Sequence, residues 1–262
     1  MTDFSSGTRL ARVWTNAGLP VLGVVIAVTL WWSLTVFLRI DPFYVPSPAD
    51  VVESFLRTPR FLLQETWITS QRVLVGFCIA VAGGLTIAVV LAASRTVERM
   101  AMPILAAVNA IPKVALAPLL LVWMGFGDPP KIVMVVLVSF FPVVVSTMAG
   151  LSSTPADLHE LARSLSASWW QTFVKVRLTW ALPQVFVGLK VATPLAIIGA
   201  VIGEVVNPDH GLGSVIAGSG ASNDTPLAFA ALALLAAIGV LFFYVMAGIE
   251  RLLVPWARAI SS

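Results

Sequence analysis

Apolar runs separated by short polar intervals make up most of the chain, and six of them are long enough to cross a bilayer as helices. The first, Leu19 to Leu38, follows Arg9 and Arg12 and ends in Arg39-Ile40-Asp41-Pro42, with none of the small residues of a signal-peptide cleavage site, so it reads as a retained span. The second runs from about Val73 to Ala93, with Gly83-Gly84 in its middle, where a neighbouring helix can approach closely. The third, Met102 to Met124, contains Pro112-Lys113 and Pro118, which predicts a broken or kinked element. The fourth follows the turn Gly125 to Pro130 and extends from Ile132 to about Gly150, the fifth from Val185 to Val206, and the sixth from Leu227 to Ile249. Between the first two spans, Pro42 to Gln71 begins with prolines and a Ser47 cap and continues as an amphipathic stretch, expected along the membrane surface. Asn207 to Pro226, rich in Gly, Ser, Asn and Asp, reads as a loop.

Thr154 to Pro183 breaks this pattern, because it is polar and helix-forming. Thr154 is placed to cap a helix with Pro155 at its first position and Asp157 in its first turn. Leu158, Leu161, Ala162 and Leu165 fall at i, i+3, i+4 and i+7, an apolar stripe flanked by Glu160 and Arg163. Ser166, Ala167 and Ser168 interrupt it, and Ser168 can cap a second helix carrying Trp169, Trp170, Phe173 and Val176. A short helix, a bend and another helix are predicted.

Composition agrees with an all-α integral membrane protein: of 262 residues, 58% are hydrophobic and 11% charged. The single cysteine, Cys78, rules out a disulfide within the chain. A net charge of +3, spread over loops, gives no basic face for nucleic acid. Six spans put both termini on one side. With them inside, nine basic residues are cytoplasmic (Arg9, Arg12, Arg95, Arg99, Arg163, Lys175, Arg177, Arg251, Arg258) against five outside (Arg39, Arg57, Arg60, Arg72, Lys131). The positive-inside rule then puts the polar helix pair in the cytoplasm.

The interval Glu160-Leu161-Ala162, then Ser166, then Leu182-Pro183 resembles the "EAA" loop of ABC-importer permeases, with Leu161, Ser166, Val176 and Thr179 departing from the family pattern. Ser166 stands where the family has a glycine, and only glycine turns at positive φ without cost. Further stretches carry the resemblance: Tyr44 to Pro48, SQRVLVGF at 70–77, IPKVALAPLLLVWMGFG at 111–127, Phe141 to Leu151, Gly211 to Gly213, and Pro255-Trp256. Together they look like the nitrate, sulfonate, taurine and bicarbonate branch of these permeases.

The resemblance implies the type I transmembrane fold, with 1–65 as tail, first span and external amphipathic segment, 66–250 as transmembrane domain with coupling loop 154–183, and 251–262 as a cytoplasmic tail. It further implies a bacterial inner-membrane protein, a homodimer of this chain, two ATP-binding subunits, an external solute-binding protein, and ATP and Mg on the partner rather than a cofactor here. Leu158, Glu160, Leu161, Ala162, Arg163, Leu165 and Ser166 are the ATPase-coupling candidates.

No catalytic or metal constellation is visible, and no phosphate-cradling loop ends in Lys-Ser or Lys-Thr. His159 and His210 fall in loops on opposite sides. The charges Lys113, Lys190 and Glu204 at bilayer depth, with Pro112 and Pro194, are the pathway candidates. Two readings are open: lysines that attract a small anionic solute, or Glu204 neutralising one lysine while the other snorkels. Trp169-Trp170 likewise fits either an interface anchor or a docking surface. A secondary carrier or channel would use Lys113, Lys190 and Glu204 directly and need no cytoplasmic partner.

Overall fold

The structure is a computed structural model and describes residues 18–256, so Arg9, Arg12 and Arg258 lie outside the described residues. The elements are helices: α1 Leu19–Phe37, α2 Pro48–Arg57, α3 Pro59–Ala92, α4 Arg95–Ala110, α5 Lys113–Met124, α6 Asp128–Ser152, α7 Ala156–Ser164, α8 Trp169–Thr172, α9 Thr179–Val206, α10 Leu212–Ser222 and α11 Thr225–Leu253. A π-helical turn, Phe173–Leu178, joins α8 to α9, so Trp169–Val206 is continuous over 38 residues.

Two compact units are present. The smaller comprises the chain up to Pro59 together with Ser219–Ala230. In it, Thr225 Oγ1 donates to the Phe43 carbonyl at 2.6 Å, and Trp31 lies 6.1 Å from Phe229, ring to ring. The larger unit, Arg60–Gly218 and Ala231 onward, holds the core and the sites described below.

That core forms where α3, α6 and α9 pack through small residues. Along α3 the buried positions Gly76, Ala80, Gly84, Ala88 and Ala92 recur every fourth residue, the spacing that lines one helix face. A side chain on Gly84 would meet Val143 of α6, and one on Gly188 of α9 would meet Pro142 and Ser146. In lipid there is no water-driven force between helices, so backbone proximity of this kind supplies the packing. Gly199 makes the tightest approach to backbone, since a Cβ there would lie 2.8 Å from both the Met134 carbonyl oxygen and the Val135 Cα, which cannot swing aside. Gly199→Ala is therefore expected to cost about 1–3 kcal/mol, read as a lower midpoint in thermal unfolding. Gly23→Ala, with open space around it, serves as the control.

Several boundaries differ from those expected. The second span does not begin at Val73: α3 starts at Pro59, so Arg60 to Gln71 forms its first turns instead of lying along a surface. The polar face of that stretch is the buried one, because Glu65, Thr69 and Arg72 find partners there. The interval 207–226 is not all loop, since α10 occupies its middle. The break at Pro112 is present, with α4 and α5 bent by 84°. Gly125 and Gly127, at φ 77° and 113°, make the turn into α6. Among the described residues four helices are long and apolar enough to cross a membrane, and the bent pair would make a fifth. The apolar helix Val21–Phe37 is shorter, so the count of six spans is not reproduced as six uninterrupted helices.

Candidate functional site

The two ends of α6 bear two different constructions, about 30 Å apart by helical rise from Lys131 to Leu151. At its C-terminal end lies the polar helix pair. Thr154 does not cap α7: Pro155 takes the N-cap position, and Thr154 Oγ1 donates to the Leu151 carbonyl at 3.3 Å. A Pro155 ψ of 145° already starts the helix at Ala156, leaving the threonine hydroxyl to close the end of α6 instead.

Ser166 has φ 53°, the left-handed turn anticipated from the family glycine. Its N–H reaches the Arg163 carbonyl at 2.9 Å and that of Ala167 the Ala162 carbonyl at 3.0 Å, which ends α7 and reverses the chain. Ser166→Gly should therefore stabilise the folded chain by about 1 kcal/mol, seen as a raised unfolding midpoint, whereas Ser166→Val should lower it. Ser168 caps α8 in a reciprocal box, accepting from the Gln171 N–H at 3.2 Å while the Gln171 side chain accepts from the Ser168 N–H at 2.9 Å.

Of the coupling candidates, Ala162 is buried and anchors α7, Leu158 is half-buried, and Leu161 and Leu165 are 56% and 73% exposed. Glu160, Arg163 and Ser166 are exposed beside them. Trp169 and Trp170 are 64% and 65% exposed, and both pack on the buried Phe173. Arg177 ties the pair to the core: one Nη2 lies 3.3 Å from the Ala92 carbonyl at the end of α3 and 3.4 Å from the Leu151 carbonyl near the end of α6. Carbonyls without helical partners at two C-termini are thus met by one cation, a favourable match to both dipoles.

At the other end, a clamp of buried charges holds the chain between α9 and α10. Arg72, 5% exposed, donates to Glu204 at 3.0 Å, to Asp128 at 2.8 Å and to the His210 carbonyl at 2.6 Å. Glu204, fully buried, also accepts from Thr69 Oγ1 at 3.0 Å and from the Gly213 N–H at 2.9 Å. Thr69 Oγ1 accepts in turn from the Leu212 N–H at 2.8 Å, and Glu65 accepts from the Gly211 N–H and lies 3.3 Å from His210 Nδ1. Lys131, fully buried, pairs with Asp209. Burial of Asp209 acts to raise its carboxyl pKa, but Lys131, the His210 N–H and Arg72 outweigh it and hold the group below the usual carboxylate range. Gly211 has φ 103°, and a Cβ there would run into the Glu204 carboxylate, so the Gly-Leu-Gly segment is required by the clamp and is not a flexible loop.

The pathway candidates do not converge. Glu204 pairs with Arg72 and with neither lysine, which removes the reading in which it neutralises one of them. Lys190 pairs with Glu250 at 2.8 Å, and Lys113 turns back to Asn109, with 2.6 Å to its Oδ1. Pro112 sits at the 84° break and caps α5. Pro194 lies within α9 on an apolar cavity of about 390 Å³, beside Ile197, Val201, Leu232, Leu235 and Gly239. Glu65, Thr69, Arg72, Asp128, Lys131 and Asp209 were not among the residues singled out from sequence; Arg72 and Lys131 were counted as external loop charges. The available signal was the i, i+4, i+7, i+11 series Glu65, Thr69, Arg72 and Gly76, a polar helix face leading directly into the small-residue face of α3.

Comparison with known proteins agrees with this architecture. The riboflavin transport system permease protein RibX of Chloroflexus aurantiacus is 40% identical over 247 residues, covering 93% of this chain and 91% of its own. The taurine transport system permease protein TauC of Escherichia coli is 28% identical over 245 residues, covering 91% and 89%. A chain of the MetNI methionine ABC transporter, crystallised in an inward-facing conformation, superposes with a TM-score of 0.66 at 22% identity, covering 75% of this chain and 98% of its own. Residues 80–259 match the family described as the binding-protein-dependent transport system inner membrane component. With its type I helical fold and its likeness to both permeases, the chain belongs to that family of ABC importer permeases.

Proposed function

We propose that two copies of this chain form the translocation pathway of an ATP-driven importer, that an ATP-binding subunit docks on the α7–α8 pair of each copy, and that a solute-binding protein delivers cargo at the clamp end. ATP and Mg bind the partner subunits, this chain is non-catalytic, and both termini are cytoplasmic in a bacterial inner membrane.

The observation that carries this reading is the exposure of Leu161, Leu165, Trp169 and Trp170 on one short helix pair. Counting about 30 Å of hydrocarbon back from Glu204 along the continuous helix reaches Gln184, so Trp169 lies about 22 Å farther out. Trp169 and Trp170 then fall outside the hydrocarbon, and an apolar patch beside the exposed Glu160 and Arg163 calls for a protein partner. Leu158, Leu161 and Leu165 fill the partner's groove, Glu160 and Arg163 form its polar rim, and the Ser166 turn fixes the angle between α7 and α8. Movement of the partner on ATP binding reaches α9 through the unbroken helix and reaches α3 and α6 through Arg177.

The solute in this reading is a small anion such as a sulfonate, nitrate, bicarbonate or an organic carboxylate. Lys113, half-buried at the α4–α5 break and paired with no acid among the described residues, is the cation available to it. A second reading is favoured by the apolar cavity at Pro194 and by the riboflavin relative: a flat, largely uncharged ring system.

Purification of the chain in mild detergent from cells expressing its neighbouring genes tests the assignment. ATPase subunits that co-purify, and are lost when Glu160 and Leu161 are replaced, are the expected result; taurine and riboflavin are then compared for stimulation of hydrolysis. A chain that purifies alone and moves solute without ATP is a carrier or channel instead.

A further inference from the structure

Between α7 and the start of the long helix lies a cavity of about 220 Å³ lined by His159, Arg163, Trp169, Thr172, Phe173 and Arg177. A cavity of this size has room for a small ion with part of its hydration. Its ionisable lining is two arginines and a histidine, with no acid. No carboxylate among the described residues comes within 4.0 Å of Arg163 or Arg177. Glu98 and Glu160 line the adjoining cavity of about 720 Å³, which shares His159, Arg163 and Arg177 with this one.

Arg177 has a donor to spare. Its Nη2 is spent on the Ala92 and Leu151 carbonyls and its Nε is buried out of reach, but its Nη1 is neither buried nor, among the described residues, bonded. Two guanidinium groups on one cavity without an acid suit an oxyanion, which accepts charge-assisted hydrogen bonds from both. Thr172 adds a hydroxyl to the lining, which donates to the Ser168 carbonyl at 3.1 Å and rotates from it to reach an anion. The Trp169 and Phe173 rings, stacked at 5.5 Å and 8°, form an apolar wall that lowers the local dielectric around those charges.

We infer that this cavity is a binding site for a tetrahedral oxyanion of the phosphate class, held by Arg163 and Arg177 with His159 and Thr172 as further polar contacts. Phosphate in solution is the source favoured over a lipid headgroup, because the stretch from Trp169 to Thr172 lies beyond the hydrocarbon by the helix-length argument above. Bound anion bridges α7 to the helix that continues into α9, and so stiffens the joint formed at Ser166. The site itself does not depend on the importer reading, because it is built from this chain alone.

The test is isothermal titration of inorganic phosphate into the purified full chain in a neutral detergent, at constant ionic strength set with chloride. One site per chain is expected, with affinity falling at least about tenfold in Arg163→Gln, whose side chain is exposed and lies outside the core. Thr172→Val should weaken binding by a smaller factor. Absence of phosphate binding, or binding that both substitutions leave unchanged, overturns the assignment. Repeating the titration in nanodiscs of phosphatidylcholine and of phosphatidylglycerol separates the two sources. Equal affinity in both supports free phosphate, and loss of phosphate binding in phosphatidylglycerol alone assigns the cavity to a headgroup and overturns that source.

Discussion

Arg72→Leu is expected to destabilise the folded chain by about 3–5 kcal/mol, because it leaves the fully buried Glu204 carboxylate without its cation. Asp128 loses its partner in the same step, and the His210 carbonyl loses a donor. Glu204→Gln should cost less. The amide keeps an oxygen for the Gly213 N–H and Thr69, while Arg72 retains Asp128 and, at 3.7 Å, Asp209. The double change Arg72→Leu with Glu204→Leu should recover part of the loss by removing the stranded charge, though the Gly213 N–H then has no acceptor, at about 1–3 kcal/mol. Thermal unfolding of the four proteins in one detergent checks the order. A double variant no more stable than Arg72→Leu would mean that the pair is not the centre of the clamp.

The second large effect falls on function and leaves stability alone. Leu161→Asp and Leu165→Asp replace exposed leucines, so the unfolding midpoint should stay within the range of surface changes, about 0.5 kcal/mol. In the proposed complex each inserts a charge into an apolar groove. The loss of an interface anchor is about 2 kcal/mol or more, which is roughly thirtyfold in partner affinity. Affinity for the ATP-binding subunit and solute-stimulated hydrolysis should fall together. Ala162→Asp is the contrast, since its position is buried and it should harm folding as well as docking.

These two effects separate what could and could not be read from the chain. Apolar length and proline position placed the helix cores and the break at Pro112, because both depend on local sequence alone. The Ser168 cap and the Ser166 turn were legible for the same reason: the partners of each are within five residues. The clamp was not, because Arg72 and Glu204 are 132 residues apart: Glu204 stands out as a charge at bilayer depth, but nothing local points to its partner. A polar face beside a membrane helix resembles a surface-seeking segment until the element opposite it is known, and here that element is the Gly211–Gly213 segment, whose N–H groups need acceptors. The partner of Lys190 was hidden on the same grounds, since Glu250 stands 60 residues away at the end of α11.

Trp169 and Trp170 illustrate the converse. Their identity fits an interface anchor and a docking surface equally, and the length of the continuous Trp169–Val206 helix favours docking in the proposed reading. The π-helical turn at Phe173–Leu178 sits between that exposed pair and the buried part of α9, where Phe173 and Arg177 connect one to the other.

The central claim is that solute movement through this chain is driven by ATP hydrolysis acting at the α7–α8 pair. Its most direct test is uptake into liposomes containing this chain with its co-purified ATPase subunits and solute-binding protein, measured with ATP and with a non-hydrolysable analogue. Uptake that requires hydrolysable ATP, and is abolished by Leu161→Asp in a chain that remains folded, is the predicted result. Uptake that proceeds equally with the analogue, or survives Leu161→Asp unchanged, would contradict it.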